Sequence, residues 1–553
     1  MKRSATEKIK TESRGLRGTL KESLKEEHTG ALREDDQVLI KFHGMYQQDD
    51  RDRREERAAK KLERLYSYMI RLRLPAGFLT AQQWLAVHEI AGRHSTGVIK
   101  ITTRQTIQLH GILKARIKPT IKTFDEAILD AIAACGDVNR NVVAAAYPGQ
   151  SAVHQAAHQL ADKISTYLKP KTRAYYEIWL DEEKIAERSE DDELYEDRYL
   201  PRKFKVAVAV PPNNDVDVYT NDVGLIAIAD KDKLSGYNIA IGGGMGSTHG
   251  NSATYPRLAT TIGFVDSEEK ALQAVYTIAT IQRDYGNRSD RKLSRLKYTL
   301  DQYGTEFFRE ELERRAGFTL EAPRPVVFTE RKDEYGWIQT EDGSWTYTLF
   351  TENGRLLDEE TRQLKTAVYE VALTGKANIR FTCHQNLSLC DIRPADKATV
   401  HAILEQYGAI AHTGRASAVR KHAMACVAFN TCPLALAEAQ RYMPSLLTAL
   451  EPLLERYGLG AEEIIMRMTG CPNGCARPYA AEVGFVGTAY GYYNLYLGGD
   501  KTGTRLNRLY REHLDEAGLL EVLDVLFSRY STEHIPEESF GDFCHRNIIP
   551  DKH

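Results

Sequence analysis

Hydrophobic and polar positions fall into a regular order from Tyr68 onward. Met69-Ile70-Arg71-Leu72-Arg73-Leu74 alternates as a half-buried strand does, and Pro75-Ala76-Gly77 ends it in a turn. Residues 80–91 carry helical spacing with Thr80 as the N-cap. Residues 98–110 alternate again and read as one long strand, on which Lys100, Arg104 and His110 share a face. Residues 120–135 form an amphipathic helix with Pro119 tolerated at its entry. Strand, helix, strand, helix makes a small α+β unit.

The unit recurs. Trp345-Thr346-Tyr347-Thr348-Leu349-Phe350, a helix near 359–373 and a strand over 379–389 repeat the order. At an offset of 280 residues Lys100 meets Arg380, Thr102 meets Thr382, Arg104 meets His384 and Gln105 meets Gln385. A second echo joins Asn238-Ile239-Ala240-Ile241-Gly242-Gly243 to Asn494-Leu495-Tyr496-Leu497-Gly498-Gly499. The chain is therefore a tandem duplication of a small unit followed by a larger α/β module, able to close around one site on a pseudo-twofold axis.

Length and charge narrow the function. At 553 residues the chain exceeds one core. Its boundaries are expected as a polar N-terminal arm over 1–60, half-domains at 61–130 and 326–405, and α/β modules at 131–325 and 406–553. The arm, ending in Asp49-Asp50-Arg51-Asp52-Arg53-Arg54-Glu55-Glu56-Arg57, reads as a solvated helix or mobile arm, or as a docking arm. A net charge of −3 gives no bulk attraction to nucleic acid or an anionic membrane. No secretory h-region follows Met1, no apolar run is long enough to span a bilayer, and eight cysteines without an export signal imply a cytoplasmic protein.

The chemistry lies in two groups of residues. Cys426 and Cys432 (C-x5-C) stand with Cys471 and Cys475 (C-x3-C), each pair carrying a Cys-Pro step. Four thiolates suit zinc or an iron–sulfur centre, and the wide first loop favours the bulkier cubane. Cys135, Cys383, Cys390 and Cys544 read as packing residues. The first copy has no cysteines at the matching place but offers cations: Arg71, Arg73, Lys100, Arg104, Arg140, Arg202, Lys203, Lys205, Arg291, Lys292, Arg295 and Lys297. Together they point to a strongly anionic ligand. The run Gly242-Gly243-Gly244-Met245-Gly246 fits no G-x-G-x-x-G register, so a nicotinamide site is not expected.

These motifs, with Thr102-Thr103-Arg104-Gln105, Asn139-Arg140-Asn141 and Leu200-Pro201-Arg202-Lys203-Phe204-Lys205, resemble the sirohaem- and 4Fe–4S-containing sulfite and nitrite reductases over residues 36–550. Within that family the likeness is greatest to haemoprotein subunits of assimilatory NADPH-dependent enzymes. The resemblance implies an α+β fold: two ferredoxin-like half-domains and two larger α/β sirohaem-binding modules around a pseudo-twofold axis. It implies that Cys426, Cys432, Cys471 and Cys475 hold the cluster and that Cys475 also ligates the sirohaem iron. Arg71, Arg140, Lys203 and Lys205 would line the pocket where sulfite meets iron. Lys100, Thr102, Arg104, Gln108, His110 and Arg295 would contact the macrocycle, which carries eight carboxylates, or its surroundings. Sulfite would be reduced to sulfide with electrons from a flavoprotein subunit. A ferredoxin-dependent nitrite or sulfite reductase, a zinc-stapled anion-binding module and a sirohaem carrier are the rival readings.

Overall fold

The computed structural model describes residues 3–146, 151–181, 190–231 and 233–549. The duplication appears in it as two pairs of five-stranded sheets. The first small sheet runs Met45–Asp49, Tyr66–Arg71, Ile107–Ile112, Ile99–Ile101 and Arg355–Leu356. The second runs Gly336–Gln339, Trp345–Leu349, Leu387–Ile392, Asn378–Phe381 and Phe78–Leu79. Each sheet thus takes its last strand from the other copy, which clasps the two half-domains together. Twin glycines permit the exchange. Gly77 and Gly354 both adopt left-handed φ, and a Cβ on either would lie 2.7 Å from the Phe381 carbonyl or 2.3 Å from that of Ile101.

The helix on the first small sheet spans Ala81–His94 and is fixed by a capping box, with Thr80 and Gln83 satisfying each other's backbone N–H groups. Ala81, Trp84, Val87, Ile90 and Ala91 are its buried stripe. The next helix is Ile117–Glu126, earlier and shorter than the apolar spacing implies, with Pro119 inside its first turn.

The expected long strand over 98–110 is two strands. Ile101 pairs with Ile107, and Thr102–Gln105 form the hairpin turn, with Gln105 at φ 49°. Arg104 therefore sits on the turn and not on the strand face that holds Lys100.

The larger modules match each other. In the first, Val143–Ala144, Val206–Ala209 and Val223–Asp230 are parallel, followed by antiparallel Lys233–Ile241 and Thr260–Val265. In the second, Met424–Ala425, Met466–Thr469 and Val483–Ala489 precede Tyr492–Leu497 and Arg508–Leu514 in the same order. Val206–Ala209 is buried throughout, which explains an unbroken apolar run where alternation would mark a half-exposed strand.

Residues 3–50 do not form a solvated arm. Leu16, Leu20, Leu39, Ile40 and Phe42 are buried in the main core, and Met45–Asp49 is the edge strand of the first sheet. Some of its charges turn inward and pair, Arg17 with Glu177, Glu7 with Arg288, and buried Lys10 with Glu7 and the Leu200 carbonyl, while the charged run after Arg51 stays at the surface. Among the described residues no helix is long and apolar enough to cross a membrane.

Candidate active site

The loops at the ends of the parallel strands converge between the two copies. Cys426 follows Met424–Ala425, and Cys471 and Cys475 follow Met466–Thr469. All four cysteines are free thiols and lie within electrostatic reach of one another. Burial, reinforced by the neighbouring sulfurs, pushes Cys432 up to about 12 and Cys426 and Cys471 upward as well. Such a group ionises when a cationic metal centre compensates it. The Gly470 N–H reaches the Cys426 Sγ at 3.4 Å, and the Asn473 Nδ2 reaches the Cys471 Sγ at 3.4 Å. Among the described residues no three His, Cys, Asp or Glu side chains meet at one ion. The four thiols thus form one group.

The first copy closes over this ring. Thr103 Oγ1 donates to the Cys475 carbonyl at 3.0 Å, and Arg477 returns a bond to the Thr103 carbonyl at 2.8 Å. The glycine run ends at Ser247, whose N–H donates to the Pro472 carbonyl at 2.9 Å. The run is thus a backbone packing surface for the Cys471–Cys475 loop. Lys297 fixes it by donating to the carbonyls of Gly244, Gly246 and Tyr255, so that ammonium is spent on the protein itself.

Lys203 and Lys205 precede the strand Val206–Ala209 and are half-buried, and among the described residues neither Nζ has a hydrogen-bond acceptor. Burial, followed by Arg202 and Arg295, pulls Lys203 down to about 7, and Cys475 lies near enough to oppose the shift. Burial and the Lys203 charge lower Lys205 further. Arg140 donates to the Gly136 carbonyl at 2.8 Å and, with Arg71, to the Ala134 carbonyl at 3.4 Å. Arg71 also rests on the Cys135 Sγ at 3.1 Å, so Cys135 supports this group and is more than a packing residue.

Other expected residues are placed but differently engaged. Arg104 donates to Asn221 Oδ1 at 2.7 Å and the Asn141 carbonyl at 2.5 Å, leaving its buried Nε unpartnered. Thr102 Oγ1 accepts the Arg104 N–H and shapes the turn. Arg295 pairs with Asp222 at 2.8 Å. Arg73 and Arg291 fall outside the cavity, paired with Asp130 and Asp137.

Across the small sheet Arg71, Gln108 and Lys100 occupy one register row. With its amide oriented to accept from Arg71, Gln108 donates to His110 Nε2 at 3.2 Å, and His110 Nδ1 donates to Gln48 at 2.9 Å. Burial and then Lys100 and Arg71 hold His110 down at about 3, so it is neutral and adds no charge to the face. Lys100 donates to the Asn353 carbonyl near Cys426, and burial lowers it to about 7.

Arg71, Arg104, Arg140, Arg202, Lys203 and Lys205 therefore share one region with no carboxylate ion-paired to any of them among the described residues. Cations gathered without counter-charge repel one another, so the region suits a polyanion. A carboxylate-rich macrocycle beside the thiol ring, with a small oxyanion over it, fits this donor set. Sequence patterns missed Asn221 and Asp222, which with the Asn141 carbonyl hold the arginines, and the reach of Arg51 to the cysteine loop from the opposite end of the chain.

Comparisons with known proteins agree with this reading. A family model described as the nitrite/sulfite reductase ferredoxin-like half domain matches residues 61–127 and 338–407. The nitrite and sulphite reductase 4Fe-4S domain model matches residues 160–320, the copy that carries the cations and not the cysteines. A protein named sulfite reductase (NADPH) hemoprotein beta-component from Leptospira biflexa is 58% identical, covering 99% of this chain and 98% of its own. Its namesakes from Shewanella sp. (strain ANA-3) and Staphylococcus haemolyticus are 50% and 49% identical, each over 99% of this chain and 97% and 96% of theirs. The solved structure of Mycobacterium tuberculosis NirA superposes with a TM-score of 0.80 over 99% of this chain and 97% of its own at 23% identity, which shows the shared fold. The chain belongs to the nitrite and sulfite reductase family.

Proposed function

We propose that this chain is the haemoprotein subunit of an assimilatory sulfite reductase. One sulfite dianion, six electrons and seven protons give one hydrosulfide and three waters. The observation that carries the reading is the pair of unpartnered ammonium groups, Lys203 and Lys205, set among arginines beside Cys475. Cys426, Cys432, Cys471 and Cys475 would hold a 4Fe–4S cluster, and Cys475 would also bind the sirohaem iron. When bound, these groups supply single electrons and a metal site for sulfur. Arg104, Arg295 and the row of Lys100, Gln108 and His110 would form the walls around the macrocycle, with Thr102 setting the turn that presents Arg104.

The chain's own side chains do the rest. Arg71 and Arg140, held by the Ala134 carbonyl, position the oxyanion and stay charged. Lys203, at about 7, exchanges a proton readily near neutrality and can hand it to a departing oxygen. Cations fixed where charge builds on that oxygen lower the barrier to S–O cleavage. The relatives' shared name, a beta-component of an NADPH enzyme, supports a separate partner component, and the electron donor of this proposal is a flavoprotein subunit in the cytoplasm.

The test replaces Lys203 and Lys205 with Ala together. Sulfide production from a chemical one-electron donor is expected to fall at least ~100-fold, the loss seen for one preorganised donor. The visible spectrum, iron and acid-labile sulfide should stay as in the parent. Turnover that survives the double change refutes the assignment, and a colourless protein containing zinc refutes the cofactor reading itself. Rates with sulfite and nitrite, from a flavoprotein or a ferredoxin, separate the rival reductases.

A further inference from the structure

The segment that reads from sequence as a solvated arm makes an unexpected contact with the cysteine loop. Arg51 N–H donates to the Asn430 carbonyl at 3.1 Å, and its Nη1 donates to the carbonyls of Cys432 at 3.0 Å and Ala435 at 2.8 Å. Its guanidinium lies 4.2 Å above the Phe429 ring. Asp50 accepts from Asn430 Nδ2 at 2.7 Å. The nearby acids are already taken, Asp49 by Arg54 at 2.5 Å and Asp52 by Arg441 at 2.6 Å. The Arg51 charge is thus fixed against the loop of one cluster ligand with no carboxylate bound to it.

We infer that Arg51 is a positioning residue that raises the reduction potential of the cluster held by Cys426, Cys432, Cys471 and Cys475. The inference rests on the cluster reading above. A fixed positive charge favours the state with one more electron, and a half-buried site screens it less than open solvent does. The bonds to two loop carbonyls hold that charge in place, and stacking on Phe429 adds to the hold.

The test titrates the holoprotein electrochemically, following the reduced-cluster signal by electron paramagnetic resonance in the parent, Arg51→Lys, Arg51→Gln and Arg51→Met. At the parent's midpoint the reduced-to-oxidised ratio should fall about tenfold in the Gln and Met chains, ~59 mV for one electron. Lysine, which keeps the charge but loses the fork, should recover most of that shift. Parent-like potentials in both neutral variants overturn the inference. An equal shift in Lys and Gln also overturns it, since hydrogen bonding alone would then account for the effect. A parent protein without iron, sulfide or signal would instead mark failure of the cofactor reading.

Discussion

Asp215 occupies, at an offset of 260 residues, the position that Cys475 holds in the second copy, and it offers a measurement independent of any cofactor. Its Oδ2 accepts the Ala146 N–H at 2.6 Å, while its buried Oδ1 has no partner. Burial, against the Ala146 bond and with help from Asp333 and Asp217, raises it from 3.8 to about 7. Between those values the folded chain binds more protons than the unfolded one, so stability falls as pH rises through the window. Above about 7 both states are ionised and the full cost, about 4 kcal/mol, is present. Asp215→Asn keeps an oxygen for Ala146 and cannot ionise. Its amide leaves a buried donor unpaired, a penalty of about 1–3 kcal/mol that does not vary with pH. The variant should therefore gain about 1.4 kcal/mol on the parent for each pH unit from 5 to 7, and nothing further above 8. Urea unfolding of both chains at pH 5, 6, 7, 8 and 9 reads this difference, in which the other titrating groups cancel. Profiles that stay parallel across that range refute the argument.

Two further predictions follow from buried charges. Asp217→Asn leaves Arg331, Arg467 and Arg477, now 2.5–3.0 Å from the carboxylate, without a counter-ion. A loss of about 3–5 kcal/mol in urea unfolding is expected. Those guanidiniums, chiefly Arg467, hold the Asp217 carboxyl far below the usual range despite burial. Its contribution is present above about 3.9 and fades only in strong acid, so the deficit should be constant from pH 5 to 9. Arg71→Lys keeps charge but cannot bridge Ala134, Cys135 and Gln108 at once. The KM for sulfite should rise about tenfold in steady-state assays, and an unchanged KM would remove Arg71 from anion positioning.

The cysteine loops and the duplication were legible because both are spacings, and spacing survives whatever the chain does around it. The small units were legible from alternation and from the Thr80 cap. The hairpin at Thr102–Gln105 was hidden because its left-handed residue is Gln105, as Gln385 is in the second copy, where a glycine or asparagine would have marked the turn. The arm was misread because composition counts charges and cannot see that Glu7, Lys10 and Arg17 find partners inside the protein. Neutral His110 and the clamp at Arg51 depend on residues tens to hundreds of positions away, which no local pattern reports.

The two halves share a fold but differ in where their counter-charges come from. At the same 260-residue offset, Lys203 is matched by Glu463 and Asp215 by Cys475. On the Glu463 side the chain supplies both signs. Arg331 and Asp333, in the segment joining the copies, pair with Asp217 and with His384, while Asp333 also accepts from Thr382 and Asn386. Glu463 meets Lys501 at 3.1 Å. On the Lys203 side neither Lys203 nor Lys205 is ion-paired to a carboxylate among the described residues, and the ammonium groups keep their charge unspent. A duplicated scaffold whose charges are balanced internally is stable without a ligand. One left with surplus cations gains its missing stability only on taking up an anion, and that free energy is what such a cavity has to spend on binding and on the transition state.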